Sequence, residues 1–389
     1  MARVVVGISG GVDSSVAAYL LKQQGHEVIG MFMINWHDTE GLLAGDCPLK
    51  DDEIFAKLVC KKLDIPLHIV DLSETYYKRV TEYMFNEYEK GRTPNPDVLC
   101  NREIKFDAFL DEALKLGADY VATGHYCQKT TTIDDFNGLE VHHLIAGADN
   151  NKDQSYFLCQ LNQYQLSKAL FPIGHLEKPE VRRIAEEQGL ATAKRKDSQG
   201  ICFVGKVALP EFLKQKLKAK EGDIIEIPKT HWQYDSFMYR HTSEPIHYDK
   251  SEGKVIGKHN GAHFFTIGQS KYLGIGGRKE KMFVIATDTV NNIVYVGEGH
   301  NHPGLNRKNL RIQHGDFHII NSNYFMTPLN GQNFKVRIRY RQPLQDAKLY
   351  NTNNGIEIVF NESQRGISPG QFAAIYTDGG ELIASGIIN

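Results

Sequence analysis

The chain has 389 residues, of which 41% are hydrophobic and 24% charged, with a formal net charge of −2; this is an ordinary globular composition with apolar material for more than one core. No apolar run reaches the roughly 18 residues of a spanning helix, and the opening is too short and too soon broken by glycines for a signal peptide, so a soluble, cytoplasmic protein with no membrane partner is expected. Near-neutral charge argues against bulk nucleic-acid affinity, and the irregularly spaced Cys47, Cys60, Cys100, Cys127, Cys159 and Cys202 contain no CxxC or CxxH pair, which excludes a disulfide scaffold and a zinc or iron–sulfur motif.

A first strand is expected over 3–8, a continuous apolar run suited to burial on both faces of a parallel sheet. A glycine-rich turn leads into a helix over 13–22, with Gly25 as its stop. The alternation repeats with a strand over 26–33, a helix over 51–63, a strand over 66–71, helices over 76–90 and 104–116, and a strand over 119–123. This is an open, doubly wound α/β domain, whose ligands bind beyond the carboxyl ends of the strands, where 9–14, 33–36 and 124–126 fall. After about 208 the pattern changes to short alternating segments over 262–267, 282–286, 293–296, 334–340, 356–360 and 373–376, expected as antiparallel β-structure in one or two barrels. The expected organisation is an α/β nucleotide domain over 1–208, a small β-rich domain over 209–282 and a β-barrel over 283–389.

The turn after the first strand reads Gly7, Ile8, Ser9, Gly10, Gly11, Val12, Asp13, Ser14. Its backbone N–H groups, two serine hydroxyls and the positive end of the following helix converge as an anion cradle. It fits neither the Walker A pattern nor the dinucleotide fingerprint, and it lacks the lysine that grips β and γ phosphates. The loop resembles the pyrophosphate loop of the ATP pyrophosphatase superfamily, whose members cleave ATP between the α and β phosphates. That resemblance implies ATP binding by residues 7–14, with Asp13 helping to hold Mg²⁺ and pyrophosphate, and Ser9, Gly11 and Ser14 holding phosphate oxygens.

Two cysteines stand apart. Cys100 follows a stretch stiffened by Pro94 and Pro96, with Asp97 three residues before it at the start of a helical turn, and reads as poised rather than buried. Cys202 follows Lys194, Arg195 and Lys196, and cations favour a thiolate. Between Leu166 and Lys220 there are twelve Lys or Arg against six Asp or Glu, a local excess that permits an RNA partner.

These stretches, with 124–126, 151–157 and 271–277, closely resemble the bacterial tRNA-specific 2-thiouridylase family along essentially the whole chain. The resemblance implies an ATP-dependent sulfurtransferase that adenylates the C2 oxygen of the wobble uridine of tRNA and replaces it with sulfur carried as a persulfide on Cys202. Cys100 then either releases sulfide from that persulfide or resolves it, leaving a transient Cys100–Cys202 disulfide. Asp97, framed by Asn95 and Pro96, would act beside the target base. Met33 and Gly124 would contact ATP; His125, Lys152, Asp153 and Gln154 would contact tRNA, as would Arg339, Tyr340 and Gln371 from the barrel. The implied partners are tRNA and a persulfide donor, either a cysteine desulfurase or a relay carrier; ATP and Mg²⁺ are expected, and no tightly bound organic cofactor. An insertion over 231–250 and the run Gln269, Ser270, Lys271, Tyr272, where the family commonly has Gln-Arg-Lys-Gly, depart from the pattern. The rival readings are a small-molecule ligase of the same superfamily and a tRNA-binding protein without catalysis.

Overall fold

The computed structural model describes residues 1–37, 48–135, 137–196, 209–214, 216–236 and 242–389. Its first half is a five-stranded, wholly parallel sheet in the order β3-β2-β1-β4-β7, built from β1 (Arg3–Gly7), β2 (Glu27–Ile34), β3 (Leu67–Asp71), β4 (Tyr120–Ala122) and β7 (Ala169–Leu170). Val4, Val5 and Val6 are wholly buried, because alternate side chains of the central strand enter different cores. Val4 and Val6 meet Val16 and Ala17 of α1 (Val12–Gln23), Ala56 and Val59 of α2 (Pro48–Leu63), and Val181 and Ala185 of a later helix. Val5, with Met31 and Met33 of β2, faces the layer formed by α3 (Ser73–Tyr76), α4 (Glu82–Glu89), α5 (Pro96–Leu99) and α6 (Phe109–Lys115).

That second layer starts earlier than the sequence suggests. Asn95 caps α5 by accepting the Val98 N–H at 3.3 Å, Pro96 occupies its first turn, and a π-helical stretch, Cys100–Ala108, joins α5 to α6. Pro96 has no N–H to lose at a helix start and its φ is already helical, so the prolines begin the helix that was expected from 104.

The chain then leaves the parallel sheet. Strands β5 (Cys127–Ile133) and β6 (Glu140–Ala146) form a hairpin, followed by α7 (Gln163–Lys168), β7, α8 (Lys178–Glu187) and α9 (Leu209–Lys214). A four-stranded sheet in the order β10-β11-β8-β9 contains β8 (Gly222–Glu226), β9 (Lys254–His259), β10 (Met282–Asp288) and β11 (Ile293–Glu298). The expected boundary near 283 therefore falls inside β10, which pairs with β11 in this sheet. The sheet is also mixed, since β8 and β11 run parallel, and 262–267 holds a 3₁₀ turn, Ala262–Phe264, instead of a strand. Within the 231–250 insertion, the hydroxyls of Tyr234 and Tyr248 meet at 2.8 Å and both rings join the core under Tyr295 and Leu305.

The last unit is a closed six-stranded antiparallel barrel. Strands β12 (Asn306–Ile319), β15 (Gly355–Arg365), β14 (Gln345–Thr352), β13 (Asn330–Arg337), β16 (Phe372–Tyr376) and β17 (Glu381–Ile388) follow in that spatial order, and β12 pairs with β17 to close it. The hairpin β5–β6 extends this sheet through β17, with Leu144 opposite Leu382. No helix among the described residues is long and apolar enough to cross a membrane.

The barrel is fixed to the first half by a buried ion pair. Arg337 donates to Asp153 at 2.8 Å, and both side chains are at most one-tenth exposed. Replacing Arg337 with Met leaves a buried carboxylate without its cation, and the expected loss is about 3 kcal/mol of stability. Thermal and urea unfolding check this; a loss of only a few tenths would mean that the pair does not hold the barrel in place.

Candidate active site

Strand β1 ends at Gly7 and α1 begins at Val12, so Ile8 to Gly11 turn at the carboxyl edge of the sheet. Ile8 is anchored by its N–H to the Met31 carbonyl at 2.9 Å. Gly10 has φ +74°, and a Cβ there would strike the Asp52 backbone of α2, so two demands select glycine at this position. Ser14 Oγ accepts the Ser9 N–H at 3.2 Å and lies 3.3 Å from Ser9 Oγ. Gly11 stands at the N-cap of α1 with no side chain to cap it, which leaves first-turn N–H groups for an incoming anion. Gly124 lies directly over this turn: a Cβ there would come within 2.7 Å of Asp13 C and Ser14 N. A phosphate-bearing nucleotide fits this cradle.

Asp13 is engaged differently from the sequence expectation. Lys178 Nζ lies 2.8 and 2.9 Å from its two carboxylate oxygens, and the Tyr126 hydroxyl donates to Oδ1 at 2.7 Å. Where magnesium was expected, the carboxylate meets an ammonium and a phenol. Among the described residues no group of three His, Cys, Asp or Glu side chains is placed to hold a metal ion. The donor set does not fit a resident Mg²⁺, and an ion entering with ATP would draw its oxygens from phosphate and water. Arg195, expected in an RNA-facing cationic cluster, instead donates to the Gly10 carbonyl and to Asp52 at 2.7 Å each, with its guanidinium over the Phe55 ring. Burial raises the Asp52 carboxyl more than Arg195 lowers it. Lys194 and Lys196 remain exposed.

The Cys100 segment forms a second locus. Cys100 is wholly buried in the core, contrary to the expectation of a poised, accessible thiol; the helix beginning at Pro96 turns it inward beside Leu99 and Ile104. Asp97 is half-buried one turn earlier, and its carbonyl accepts the Asn101 side-chain amide at 3.0 Å. The entry to this helix is clamped by the barrel. Gln371 donates to the carbonyls of Thr93 and Pro94 at 2.8 and 3.2 Å, the Thr93 N–H meets the Pro369 carbonyl at 2.7 Å, and Asn95 reaches Gln371 at 3.5 Å. Arg339 donates to the Gly366 carbonyl, and Tyr340 packs on Phe157 with ring centroids 4.4 Å apart. Burial and the neighbouring Arg365 guanidinium lower the proton affinity of Arg339.

Cys202 and Cys47 lie outside the described residues. Cys60, Cys127 and Cys159 are buried, and burial pushes their thiols up, to about 11 for Cys60 and about 12 for Cys159. They pack as small apolar groups and are poor thiolates.

Of the residues expected to touch tRNA, Lys152 is half-buried. His125 is buried, with Nδ1 2.7 Å from the Thr123 hydroxyl, and burial drives its imidazole well below the ordinary value. Asp153 spends one oxygen on the N–H groups of Gly147 and Ser155, at 3.0 Å each, and the other on Arg337. Gln154 accepts the Tyr126 N–H at 3.1 Å. Met33 is buried among the helices that carry Cys100. The structure thus gives Asp153, Gln154 and His125 internal partners.

Lys178 and Arg337 were not singled out from the sequence, and Tyr126 was noted only as part of the 124–126 loop. Lys178 carried one legible signal: a lysine at the first turn of a helix opposes the helix dipole and calls for a local reason.

A doubly wound parallel sheet with a Ser-Gly-Gly-Val-Asp-Ser turn after its first strand defines a pyrophosphate-loop protein, here joined to a closed β-barrel. Family models described as a tRNA methyl transferase HUP domain, a tRNA methyl transferase PRC-barrel domain and an aminomethyltransferase β-barrel domain match residues 2–206, 237–298 and 309–388. Proteins named tRNA-specific 2-thiouridylase MnmA are 55% identical in Christiangramia forsetii and in Flavobacterium johnsoniae, each aligned over the whole of both chains. The one in Karelsulcia muelleri is 46% identical over all of this chain and 98% of its own. The chain belongs to the tRNA-specific 2-thiouridylase family.

Replacing Gly124 with Ala drives a methyl group into the Asp13–Ser14 backbone. The expected outcome is a loop displaced enough to weaken ATP binding by roughly tenfold or more, with destabilisation of about 1–3 kcal/mol from overpacking. Calorimetry with ATP checks it; unchanged affinity would show that the close approach has no role in shaping the cradle.

Proposed function

We propose that the chain is an ATP-dependent tRNA sulfurtransferase that converts the wobble uridine to 2-thiouridine, releasing AMP and pyrophosphate. The observation that carries this reading is the combination, in a chain 55% identical throughout to 2-thiouridylases, of an uncapped pyrophosphate loop with a cysteine helix clamped by the barrel. The methyltransferase wording of two family models gives way to the names of the full-length relatives.

The uridine C2 oxygen attacks the α phosphorus of ATP, the bond to the β phosphate breaks, and pyrophosphate leaves along the 7–14 loop. The loop N–H groups and Ser9 and Ser14 take the charge that builds on phosphate oxygens. Any Mg²⁺ would enter with ATP, where it would supply charge neutralisation on the triphosphate. Sulfur enters as a persulfide on Cys202, loaded by a cysteine desulfurase or a relay carrier. Either Cys100 attacks the Cys202 sulfur and frees sulfide, which adds to C2, or the terminal persulfide sulfur adds to C2 and Cys100 then displaces it from Cys202. Both routes expel AMP with the former C2 oxygen and end in a Cys100–Cys202 disulfide that an external thiol reduces. Because Cys100 is buried, the helix entry at Thr93–Asn95 would open to make its sulfur reachable. Asp97 is proposed as the proton carrier beside the base, with Asn95 and Pro96 framing it. A uridine taken out of the anticodon stack would be held by phosphate and shape contacts, with Lys152, Arg339, Tyr340 and Gln371 on the RNA side.

Mass spectrometry of tRNA nucleosides after incubation with ATP, Mg²⁺ and a persulfide donor tests the reaction. The Cys202→Ser protein should adenylate tRNA yet make no 2-thiouridine, and Cys100→Ser should load sulfur and stall, with product falling at least 100-fold. Full activity of Cys100→Ser would overturn the two-cysteine mechanism. AMP release without tRNA would favour a small-molecule ligase.

A further inference from the structure

We propose that Arg365, at the junction of the barrel with the four-stranded sheet, binds one phosphodiester of the RNA backbone beside the target uridine through the Nε–H and Nη2–H edge of its guanidinium. This rests on the tRNA reading above and concerns a residue that lies outside every motif of the sequence.

Arg365 ends β15, where its backbone pairs with Asn306 of β12. Its side chain crosses to the four-stranded sheet and sets its guanidinium 4.6 Å from the centre of the Phe283 ring of β10. The face of the cation is thereby satisfied, but its edge is not. Nε and Nη2 are both shielded from water and neither has a hydrogen-bond partner. Their N–H bonds run side by side, and together they form the edge that takes two oxygens of one carboxylate or phosphate. Among the described residues no carboxylate lies within ion-pair distance of Arg365. Buried donors left without acceptors are costly, and here two fall on one group in the geometry of an anion fork.

The nearest charged neighbour makes the arrangement still less favourable for the protein alone. Arg339 donates to the carbonyl of Gly366, the residue after Arg365, and reaches Ser368 Oγ at 3.5 Å. Gly366 has φ +66°, and a Cβ there would stand 2.6 Å from Arg339 Nη2, so glycine is what admits the second guanidinium. Two cations held together repel until a polyanion arrives. Position then separates phosphate from carboxylate. The same loop clamps the entry of the helix that carries Asp97 and Cys100, through the Pro369 carbonyl on the Thr93 N–H and through Gln371 on the carbonyls of Thr93 and Pro94. A nucleotide turned out of a stem-loop toward that helix brings its flanking phosphates past this loop. Arg365 is half-buried, and its long side chain swings off Phe283 to meet one of them, exchanging two orphaned donors for two charge-assisted bonds.

The test is binding of the full-length protein to an anticodon stem-loop RNA over a salt series, repeated with loops in which one phosphate at a time is a neutral methylphosphonate. Arg365→Met should weaken binding roughly 5- to 30-fold and lower the salt slope by about 0.7–0.9. ATP affinity by calorimetry should stay within about twofold. One methylphosphonate flanking the uridine should cost the native protein the same factor and the Arg365→Met protein nothing, the non-additivity of a direct contact. Arg365→Lys should keep the slope but recover only part of the affinity, because an ammonium offers no fork. Arg365→Gln serves if the Met variant does not fold. An unchanged slope with a lowered melting temperature would make Arg365 a structural strut and overturn the proposal, as would full additivity with every methylphosphonate. Lost affinity for ATP or inorganic phosphate with RNA binding intact would assign the edge to a nucleotide and also overturn it. If the unmodified protein binds no RNA, the tRNA reading itself falls; if only Arg365→Met is without effect, this proposal falls alone.

Discussion

The contact between Arg337 and Asp153 sets the geometry on which the other features rest. A carboxylate is hard to bury, and Asp153 is tolerated because two backbone N–H groups and a guanidinium saturate its oxygens. The same guanidinium lies 5.4 Å from the centre of the Tyr376 ring. Ser155 reaches the Tyr376 hydroxyl at 3.0 Å, Tyr156 donates to the Phe372 carbonyl at 3.1 Å, and Gln160 donates to Ser385 at 2.7 Å. The short stretch from Asp153 to Gln160 thereby becomes the polar seam between the parallel sheet and the barrel. Burial pushes the phenols of Tyr156 and Tyr376 far above their ordinary values, so both remain neutral donors and the seam holds its bonding pattern across physiological pH.

The seam also has a path to the nucleotide loop. Gln154, next to Asp153, exchanges two hydrogen bonds with the Tyr126 backbone, and Tyr126 touches Asp13 with its hydroxyl. Barrel docking, the orientation of Tyr126 and the placement of the Asp13 carboxylate are thus consecutive links of one bonded chain. On the other flank the barrel holds the Thr93–Asn95 entry to the Cys100 helix through Gln371. Both chemical loci are braced by the same unit, although they belong to different loops of the first half.

What was legible in the sequence was what local physics decides. The Val4–Val6 run, the glycines at 10 and 11 and the periodicity of α1 and α2 are set by burial and backbone sterics within a few residues, and the sheet and its loop follow from them. The last barrel was legible from alternation and turn residues. The parallel pairing of β8 with β11 was not, since two short strands separated by dozens of residues do not declare their direction. The turn at Ala262–Phe264 was taken for a strand because aromatic and apolar residues satisfy either reading over so short a span. Cys100 was expected to be accessible because it stands just after a helix start beside Asp97, whereas the helix that begins at Pro96 turns it into the core. Lys178 and Asp13 lie 165 positions apart, and only tertiary structure joins them. Asp153 and Gln154 were assigned to RNA through family resemblance, while their side chains are committed inside the protein.

The hairpin β5–β6 carries a consequence for how this molecule can be divided. It lies in the first half of the sequence, yet β6 is hydrogen-bonded to β17, one of the last strands of the chain. Severing the chain between the halves would strip β17 of a neighbour and leave β6 unpaired at Leu144 and Ile145, a short edge open to intermolecular strand addition. Neither fragment would inherit a finished surface. A cut between the halves would therefore open an edge on the first that the intact chain keeps covered.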